Sequence, residues 1–290
     1  MIMNRREIIK RSAWLAFLAA ILPDQLIAGQ SKSNIRIGAC DWSLGMNCDS
    51  RAFEVARQIG LEGVQVNMGS LENNMRLRDP VVQQQYLAAS KSSGIKIAGL
   101  AIGELNTVPY KSDPRTDQWV WDSVDVAKAL GVKVILLAFF YKNDLRKDEA
   151  GIKEVIRKLK MVAPKAEKMG ITLGIESYLN ADEHLNILQG VGSESVKVYY
   201  DFRNTADAGY DVISDMQRLG RESICELHMK ENGFLLGKGT MNWQKIAEVL
   251  SKMGYHGGGW MQIEGATPKD ADIVASYKSN LQFLKSSFHY

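Results

Sequence analysis

One unit recurs along most of this chain: an amphipathic stretch, then a glycine, then a short run rich in Val, Ile and Leu. This order is typical of a helix that leads into a buried strand. The glycines at the junctions are Gly60, Gly94, Gly131, Gly170, Gly192, Gly220 and Gly254. A glycine just past a helix can adopt the left-handed conformation that ends it without steric cost. Each of these glycines therefore marks the end of a helix and the approach of a strand.

The repeated unit predicts eight strands, at 35–43, 63–68, 96–102, 132–139, 172–176, 196–201, 224–228 and 259–264. Helices are expected between and after them, at 52–59, 80–92, 116–130, 149–169, 181–188, 210–219, 243–253 and 269–284. Such alternation forms right-handed βαβ units and a parallel sheet, and eight units close most naturally into a barrel. An open doubly wound sheet is the alternative, but the first strand lacks the glycine-rich turn usual in that fold. We predict an α/β chain with a single (β/α)8 TIM barrel at 33–290.

The first 28 residues are interpreted as a twin-arginine-like export signal. Arg5 and Arg6 precede an apolar run at 13–22, which is too short to cross a bilayer because a span needs about 20 apolar residues. The best cleavage point follows Ala28. An uncleaved anchor or a cytosolic arm is the alternative. The sequence thus predicts a periplasmic protein with no stable membrane insertion after signal removal.

The charge of the chain argues against nucleic acid as a partner. Lys and Arg number 36 against 33 Asp and Glu, a net charge of +3, and four of the basic and two of the acidic residues lie in the first 28. The remaining nearly neutral body lacks the positive field that attracts phosphate backbones. A small carbohydrate is a better match. A homo-oligomer stays open, since closed symmetric assemblies are common.

Four consecutive predicted strands end in a side chain that can bind metal: Glu176, Asp201, His228 and Glu264. Any one of them alone is more often a helix cap, a loop salt bridge or a satisfied polar residue. Their shared position favours another interpretation, because the carboxyl ends of barrel strands meet at the active-site mouth. Three carboxylates and one imidazole suit one divalent ion, Mn²⁺, Mg²⁺ or Co²⁺.

From about residue 35 to its end, the chain resembles the xylose isomerase-like barrel superfamily of sugar isomerases, ketose 3-epimerases and endonuclease IV-type nucleases. The resemblance rests on IESYLNADEHLNIL around Glu176, VKVYYDFRN around Asp201, ELHMKEN with LGKGTMNW from His228 onward, and GGGWMQIEG around Glu264. It implies that these four residues bind the metal ion. It also implies that the two glutamates face the substrate from opposite sides.

Further residues are candidates for binding the substrate. Lys230 matches a family lysine that reaches substrate oxygens, although a solvated loop lysine is an equal alternative. Asn204 stands where ketose 3-epimerases of the family have a histidine, which weighs against that activity. The remaining candidates, each of which packing would also explain, are Tyr178, Glu104, Trp42 and Trp260.

The ligand set suits the removal of a proton next to a sugar ketone, with the metal ion as Lewis acid and Glu176 and Glu264 as the catalytic residues. Exported members that the chain resembles imply chemistry on 3-keto-glycosides, in which the C3 ketone acidifies C2 and the enolate expels the group on C1. We therefore expect a 3-keto-glycoside 1,2-lyase, or a hydratase of the resulting 2-hydroxy-3-keto-glycal. A sugar isomerase or epimerase is the alternative.

Two other classes fit less well. An abasic-site endonuclease of the family uses additional histidines to hold three metal ions, whereas the sequence contains 4 His in all. A non-catalytic sugar-binding barrel has the same fold, and fold alone does not distinguish it from an enzyme.

Export can be tested by expressing the full chain in a bacterium that has twin-arginine transport. Because the signal is expected to be removed, fractionation should recover a periplasmic protein whose first residue follows Ala28. N-terminal sequencing of that fraction is the measurement. A cytosolic protein that retains Met1 would contradict the assignment.

Overall fold

The computed structural model describes residues 34–255 and 257–288, so the predicted export signal lies outside the described residues. The strands are β1 (Asn34–Cys40), β2 (Gly63–Asn67), β3 (Lys96–Ile102), β4 (Val134–Phe139), β5 (Thr172–Ser177), β6 (Val196–Asp201), β7 (Ile224–Lys230) and β8 (Gly257–Glu264). The helices are α1 (Ala52–Ile59), α2 (Pro80–Ser93), α3 (Arg115–Leu130), α4 (Glu149–Met169), α5 (Ala181–Val191), α6 (Phe202–Asp207), α7 (Val212–Leu219), α8 (Trp243–Lys252) and α9 (Ile273–Ser287).

The eight strands form a closed barrel in chain order. Every neighbouring pair is parallel, and β8 returns to pair with β1. The predicted single (β/α)8 TIM barrel is therefore confirmed. Each of the eight predicted strands overlaps one of the observed strands.

The helix prediction missed one element. A single helix was expected at 210–219, but the chain forms α6 directly after β6 and then α7. Helix α6 has only 6 residues, FRNTAD, which is too short to show a helical repeat. It starts because the Asp201 side chain accepts a hydrogen bond from the Asn204 amide.

Side-chain caps begin several of the outer helices. Asp79 accepts a hydrogen bond from the Val81 amide at the start of α2, where Pro80 occupies the first turn. Asn180 and Glu183 form a reciprocal capping box at the start of α5. Within residues 34–255 and 257–288, no helix is both long and apolar enough to cross a membrane.

Most of the hydrophobic core lies between the strands and the helices rather than inside the barrel. The large cluster joins outward strand residues such as Val64 and Leu100 to helix residues such as Val124 and Leu159. The apolar cluster inside the barrel contains only Ala101, Val134, Leu136, Ala138 and Tyr199 among the described residues. The barrel interior therefore has room for polar side chains below the mouth.

The glycine after α3 offers a test of the helix-ending role. Gly131 has φ of 73°, and an added Cβ would meet nothing within 4 Å, so any cost of substitution is conformational. We expect Gly131→Ala to lower the free energy of unfolding by about 1 kcal/mol, and Gly131→Asn to lower it less, because asparagine tolerates the left-handed region. Urea unfolding measures both. Equal losses for the two variants would contradict this explanation.

Candidate metal centre

The four predicted ligands stand at the mouth ends of β5 to β8, and barrel closure brings them together. In the strand register, Asp201 pairs with His228, and Lys230 pairs with Glu264. Glu176, Asp201, His228 and Glu264 each offer one ligand atom, and these atoms lie within 4.8 Å of one another. Three of the four residues are buried and Glu264 is partly buried. A single ion in this space could contact all four.

The two nitrogens of His228 face different partners. Nδ1 faces the carboxylates, 3.0 Å from Glu176 Oε1 and 3.5 Å from Glu264 Oε2. Nε2 faces away from them and lies 2.9 Å from Gln65 Oε1. Burial opposes the charged ring, but the surrounding carboxylates outweigh it and raise the pKa of His228 to about 9. Because Gln65 Oε1 can only accept, Nε2 donates to it and Nδ1 is the nitrogen available to a metal ion.

The two oxygens of Asp201 have separate roles. Oδ1 accepts the hydrogen bond from the Asn204 amide at 2.8 Å and so caps α6. Oδ2 is buried, has no hydrogen-bond partner in the described part of the chain, and lies 3.9 Å from His228 Nδ1. Burial raises the pKa of Asp201, and the negative charges of Glu176 and Glu264 add to that effect. The helix-cap explanation therefore accounts for one oxygen only.

Lys230 and Trp42 hold Glu264. The Lys230 ammonium lies 2.9 Å from Glu264 Oε2, an ion pair without good hydrogen-bond direction, and the Trp42 indole donates to Oε1 at 2.8 Å. Burial would raise the pKa of Glu264, but Lys230 and His228 outweigh it and hold that pKa below its usual range. Burial would likewise lower the pKa of Lys230, yet Glu264 and Asp201 keep it above its usual value. Lys230 is thus a charged member of the site.

Asn204 links Glu176 to Lys230. Its side-chain amide donates to Glu176 Oε1 at 3.1 Å, and its oxygen accepts from Lys230 Nζ at 3.4 Å. Tyr178 lies two residues beyond Glu176, and its ring packs edge-to-face with Phe140 at 4.8 Å. The Arg146 guanidinium lies 4.6 Å from the centre of the same ring, and burial raises the pKa of the Tyr178 hydroxyl. The role of Tyr178 in binding the substrate stays a prediction.

The residues present fit one divalent ion. Asp201 Oδ2 is a buried oxygen that lacks a hydrogen bond within the described residues, while Glu264 Oε2 has the Lys230 ammonium beside it, and His228 Nδ1 points toward both oxygens. Three carboxylates gathered around one ammonium and one imidazole are costly to bury unless a further cation accompanies them. A set of three carboxylates and one imidazole is mostly oxygen, which suits Mn²⁺, Mg²⁺ or Co²⁺ better than a closed zinc site.

Two of the predicted pocket residues lie elsewhere. Trp260 stands four residues before Glu264 on β8, packs over Gly63, and carries the Arg36 guanidinium 4.2 Å from its ring centre. The prediction that Trp260 lines the mouth is therefore wrong, because that side chain fills the opposite end of the barrel. Glu104 follows β3 and is half-buried, and burial raises the pKa of its carboxyl group. It does not join the four-residue cluster.

Sequence reasoning missed the side chains beneath the cluster. Gln65, in the middle of β2, bonds His228, and Cys40 Sγ lies 3.2 Å from the same Gln65 oxygen. Tyr199 packs against the His228 ring at a centroid distance of 4.6 Å. The available signal was the polar residue inside the otherwise apolar strand GVQVN, since a buried glutamine needs partners.

Comparison with known proteins gives one family and several relatives. Residues 53–287 match the family described as xylose isomerase-like TIM barrel. A 2-epi-5-epi-valiolone 7-phosphate 2-epimerase from Actinoplanes sp. is 25% identical over 177 residues, which are 61% of this chain and 65% of that protein. A D-psicose 3-epimerase from Enterocloster bolteae is 26% identical over 143 residues, 44% of this chain and 46% of that protein. Each match spans less than two thirds of the relative.

Solved structures share the fold over longer stretches. D-psicose 3-epimerase from Clostridium cellulolyticum H10, solved with D-tagatose, has a TM-score of 0.74 at 18% identity and covers 88% of this chain and 99% of its own. The 3-keto-D-glucoside 4-epimerase from E. coli has a TM-score of 0.69 at 14% identity, with 87% and 100% covered. At these identities the likeness is one of fold. The family match, in contrast, runs from the first outer helix to the last, so the chain belongs to the xylose isomerase-like TIM barrel family.

Proposed function

We propose that this chain is a divalent-metal-dependent sugar enzyme that moves a proton at a carbon next to the sugar carbonyl, as an epimerase or isomerase. The observation that carries the proposal is the gathering of two glutamates, one lysine and a candidate metal site in one small space at the barrel mouth. Proton transfer beside a carbonyl needs a base, a stabiliser of the enolate oxygen and a proton donor. These residues offer all three.

The two glutamates differ in how firmly they are held. Glu264 has Trp42 on Oε1 and Lys230 beside Oε2. Glu176 accepts from Asn204 and His228 on Oε1, while its Oε2 has no hydrogen bond from the residues that the structure describes. The ion pair also lowers the pKa of Glu264, which makes it a weaker base. We therefore assign Glu176 as the base that removes the proton.

The remaining steps follow from the other side chains. A divalent ion bound by the four ligands would polarise the sugar carbonyl and stabilise the enolate. Lys230, whose ammonium stays charged, donates to a substrate oxygen on which negative charge develops. For epimerisation, the opposite face of the enolate must receive a proton; because Glu264 is ionised, that proton would come from the Lys230 ammonium, passed through Glu264 Oε2 at 2.9 Å. For isomerisation, Glu176 returns the same proton to the neighbouring carbon.

Epimerisation or isomerisation takes precedence over the elimination favoured by the sequence. Both curated relatives are epimerases by name, and they match this chain at 25% and 26% identity. Elimination or hydration of a 3-keto-glycoside is the second candidate. It is favoured by Lys230, because an ammonium 2.9 Å from Glu264 can protonate a departing glycosidic oxygen. Both reactions begin with the same proton removal.

The proposed export bears on the substrate. A periplasmic enzyme is expected to act on unphosphorylated sugars or glycosides, whereas the Actinoplanes relative is named for a 7-phosphate. Substrate panels should therefore contain both kinds of sugar, so that location and substrate class are tested separately.

Deuterium exchange tests the proposal independently of the final product. The protein is stripped of metal, reloaded with Mn²⁺, Mg²⁺ or Co²⁺, and incubated in D₂O with ketoses, ketose phosphates and a 3-keto-glucoside. We expect deuterium at the carbon next to the carbonyl by mass spectrometry, and a loss of about 100-fold to 10,000-fold in Glu176→Gln and Glu264→Gln. A new diastereomer or aldose supports the first candidate, and aglycone release supports the second. Metal binding without deuterium exchange on any of these substrates would contradict both candidate functions.

Lys230→Met separates the role of the lysine from that of the metal ligands. Removing a positive charge 2.9 Å from Glu264 should leave divalent-metal affinity equal or higher, since like charges repel, while the exchange rate falls by about 100-fold or more. Calorimetric titration with Mn²⁺ and exchange kinetics measure the two quantities. Loss of metal binding in Lys230→Met would show that the lysine maintains the site rather than acting on substrate.

A further inference from the structure

The interior of this barrel contains a chain of hydrogen bonds directly below the candidate metal centre. Barrel interiors are usually filled by branched apolar side chains. Here β2, β6 and β7 contribute Gln65, Tyr199 and Glu226, all at most 2% exposed. Gln65 Oε1 lies 2.9 Å from His228 Nε2, and Gln65 Nε2 donates to the Tyr199 hydroxyl at 3.2 Å. These hydrogen bonds thus connect His228, a candidate ligand on β7, to Gln65 on β2, which lies in the half of the barrel that supplies no candidate ligand.

We propose that Gln65 is a positioning residue that fixes which nitrogen of His228 binds the metal ion. A carboxamide has an accepting end and a donating end. With its oxygen toward His228, Gln65 requires a proton on Nε2 and leaves Nδ1 for the ion. With the amide turned over, its NH₂ group would face Nε2, and the neutral ring would carry its proton on Nδ1, toward the carboxylates.

The neighbours of Gln65 favour the first orientation. The Cys40 thiol donates to the same oxygen at 3.2 Å, so two donors converge on the accepting end. At the other end, the Tyr199 hydroxyl accepts from the Gln65 NH₂ group at 3.2 Å. Turning the amide over would place its NH₂ group beside the thiol and would leave His228 Nε2, 3.4 Å from Cys40 Sγ, as the acceptor for that thiol, which requires the ring proton to lie on Nδ1. The orientation of the Gln65 amide and the tautomer of His228 are therefore linked.

This role predicts a measurable loss of metal affinity. A histidine ligand whose second N–H loses its acceptor typically binds metal about 10-fold to 100-fold more weakly. Gln65→Met removes the acceptor at similar volume, and Gln65→Glu keeps an accepting oxygen at the same place. The matched control is Gln262→Met, because Gln262 is also 0% exposed inside the barrel and neither of its amide atoms has a partner among the described residues.

Competition with a fluorescent chelator measures the dissociation constant for Mn²⁺ in all four proteins. We expect Gln65→Met to raise it by about 10-fold to 100-fold, Gln65→Glu to raise it less than Gln65→Met, and Gln262→Met to leave it within about twofold of the wild type. Nitrogen-15 NMR of histidine-labelled protein with Mg²⁺ reports the tautomer directly. The wild type should show a His228 with protonated Nε2, and Gln65→Met should show exchange between tautomers.

The outcomes separate this inference from the proposed function on which its metal site rests. A wild type that binds no divalent ion would overturn the metal centre itself. If the wild type binds Mn²⁺ and Gln65→Met binds it equally well with an unchanged NMR spectrum, only the role of Gln65 is overturned. Equal losses in Gln65→Met and Gln262→Met would indicate a packing effect and would likewise remove the proposed role.

Discussion

The rest of the site depends on the repulsion among three carboxylates brought together in a water-poor space. Glu176, Asp201 and Glu264 converge because barrel closure brings the carboxyl ends of their strands together at the mouth. Buried like charges are tolerated only when positive charge stands among them. The ring of His228 and the ammonium of Lys230 supply part of that charge, and a divalent ion would supply the remainder. The same imbalance that makes the cluster unfavourable by itself therefore gives it affinity for a cation.

The sequence predicted the elements of this fold well because helices α1 to α5 and α7 end at a glycine and most strands are short, largely apolar runs. It identified the four candidate ligands, which the structure brings together, because chain position, counted from the repeat, places Glu176 and His228 at equivalent strand ends. It failed where the height of a side chain along its strand decides the outcome. Trp260 is only four residues from Glu264, yet a strand rises by about 13 Å over that distance, which separates the floor of a barrel from its mouth. Gln65 was missed because its partner lies far along the chain, on β7.

The reaction proposed from the structure and the relatives differs from the one that the sequence favoured. From the sequence, export and the missing histidine at Asn204 favoured elimination from a keto-glycoside. In the structure, Asn204 hydrogen-bonds to both Glu176 and Lys230. An asparagine at this position, where a histidine was expected for a ketose 3-epimerase, therefore still makes two hydrogen bonds within the site. The curated relatives are epimerases by name. The side chains of the site act in the first step, the removal of a proton, which both reactions share. The group attached to C1 of the sugar would determine which product forms.

The division of labour between the two oxygens of Asp201 has a consequence for how this position can evolve. One oxygen starts a helix and the other faces the ion space, so a single short side chain serves folding and chemistry at once. Asparagine would keep the cap but remove the charge, and glutamate would keep the charge but displace both oxygens by one methylene. Neither substitution preserves both roles. Replacement of Asp201 is therefore expected to be restricted even in related enzymes that act on a different substrate.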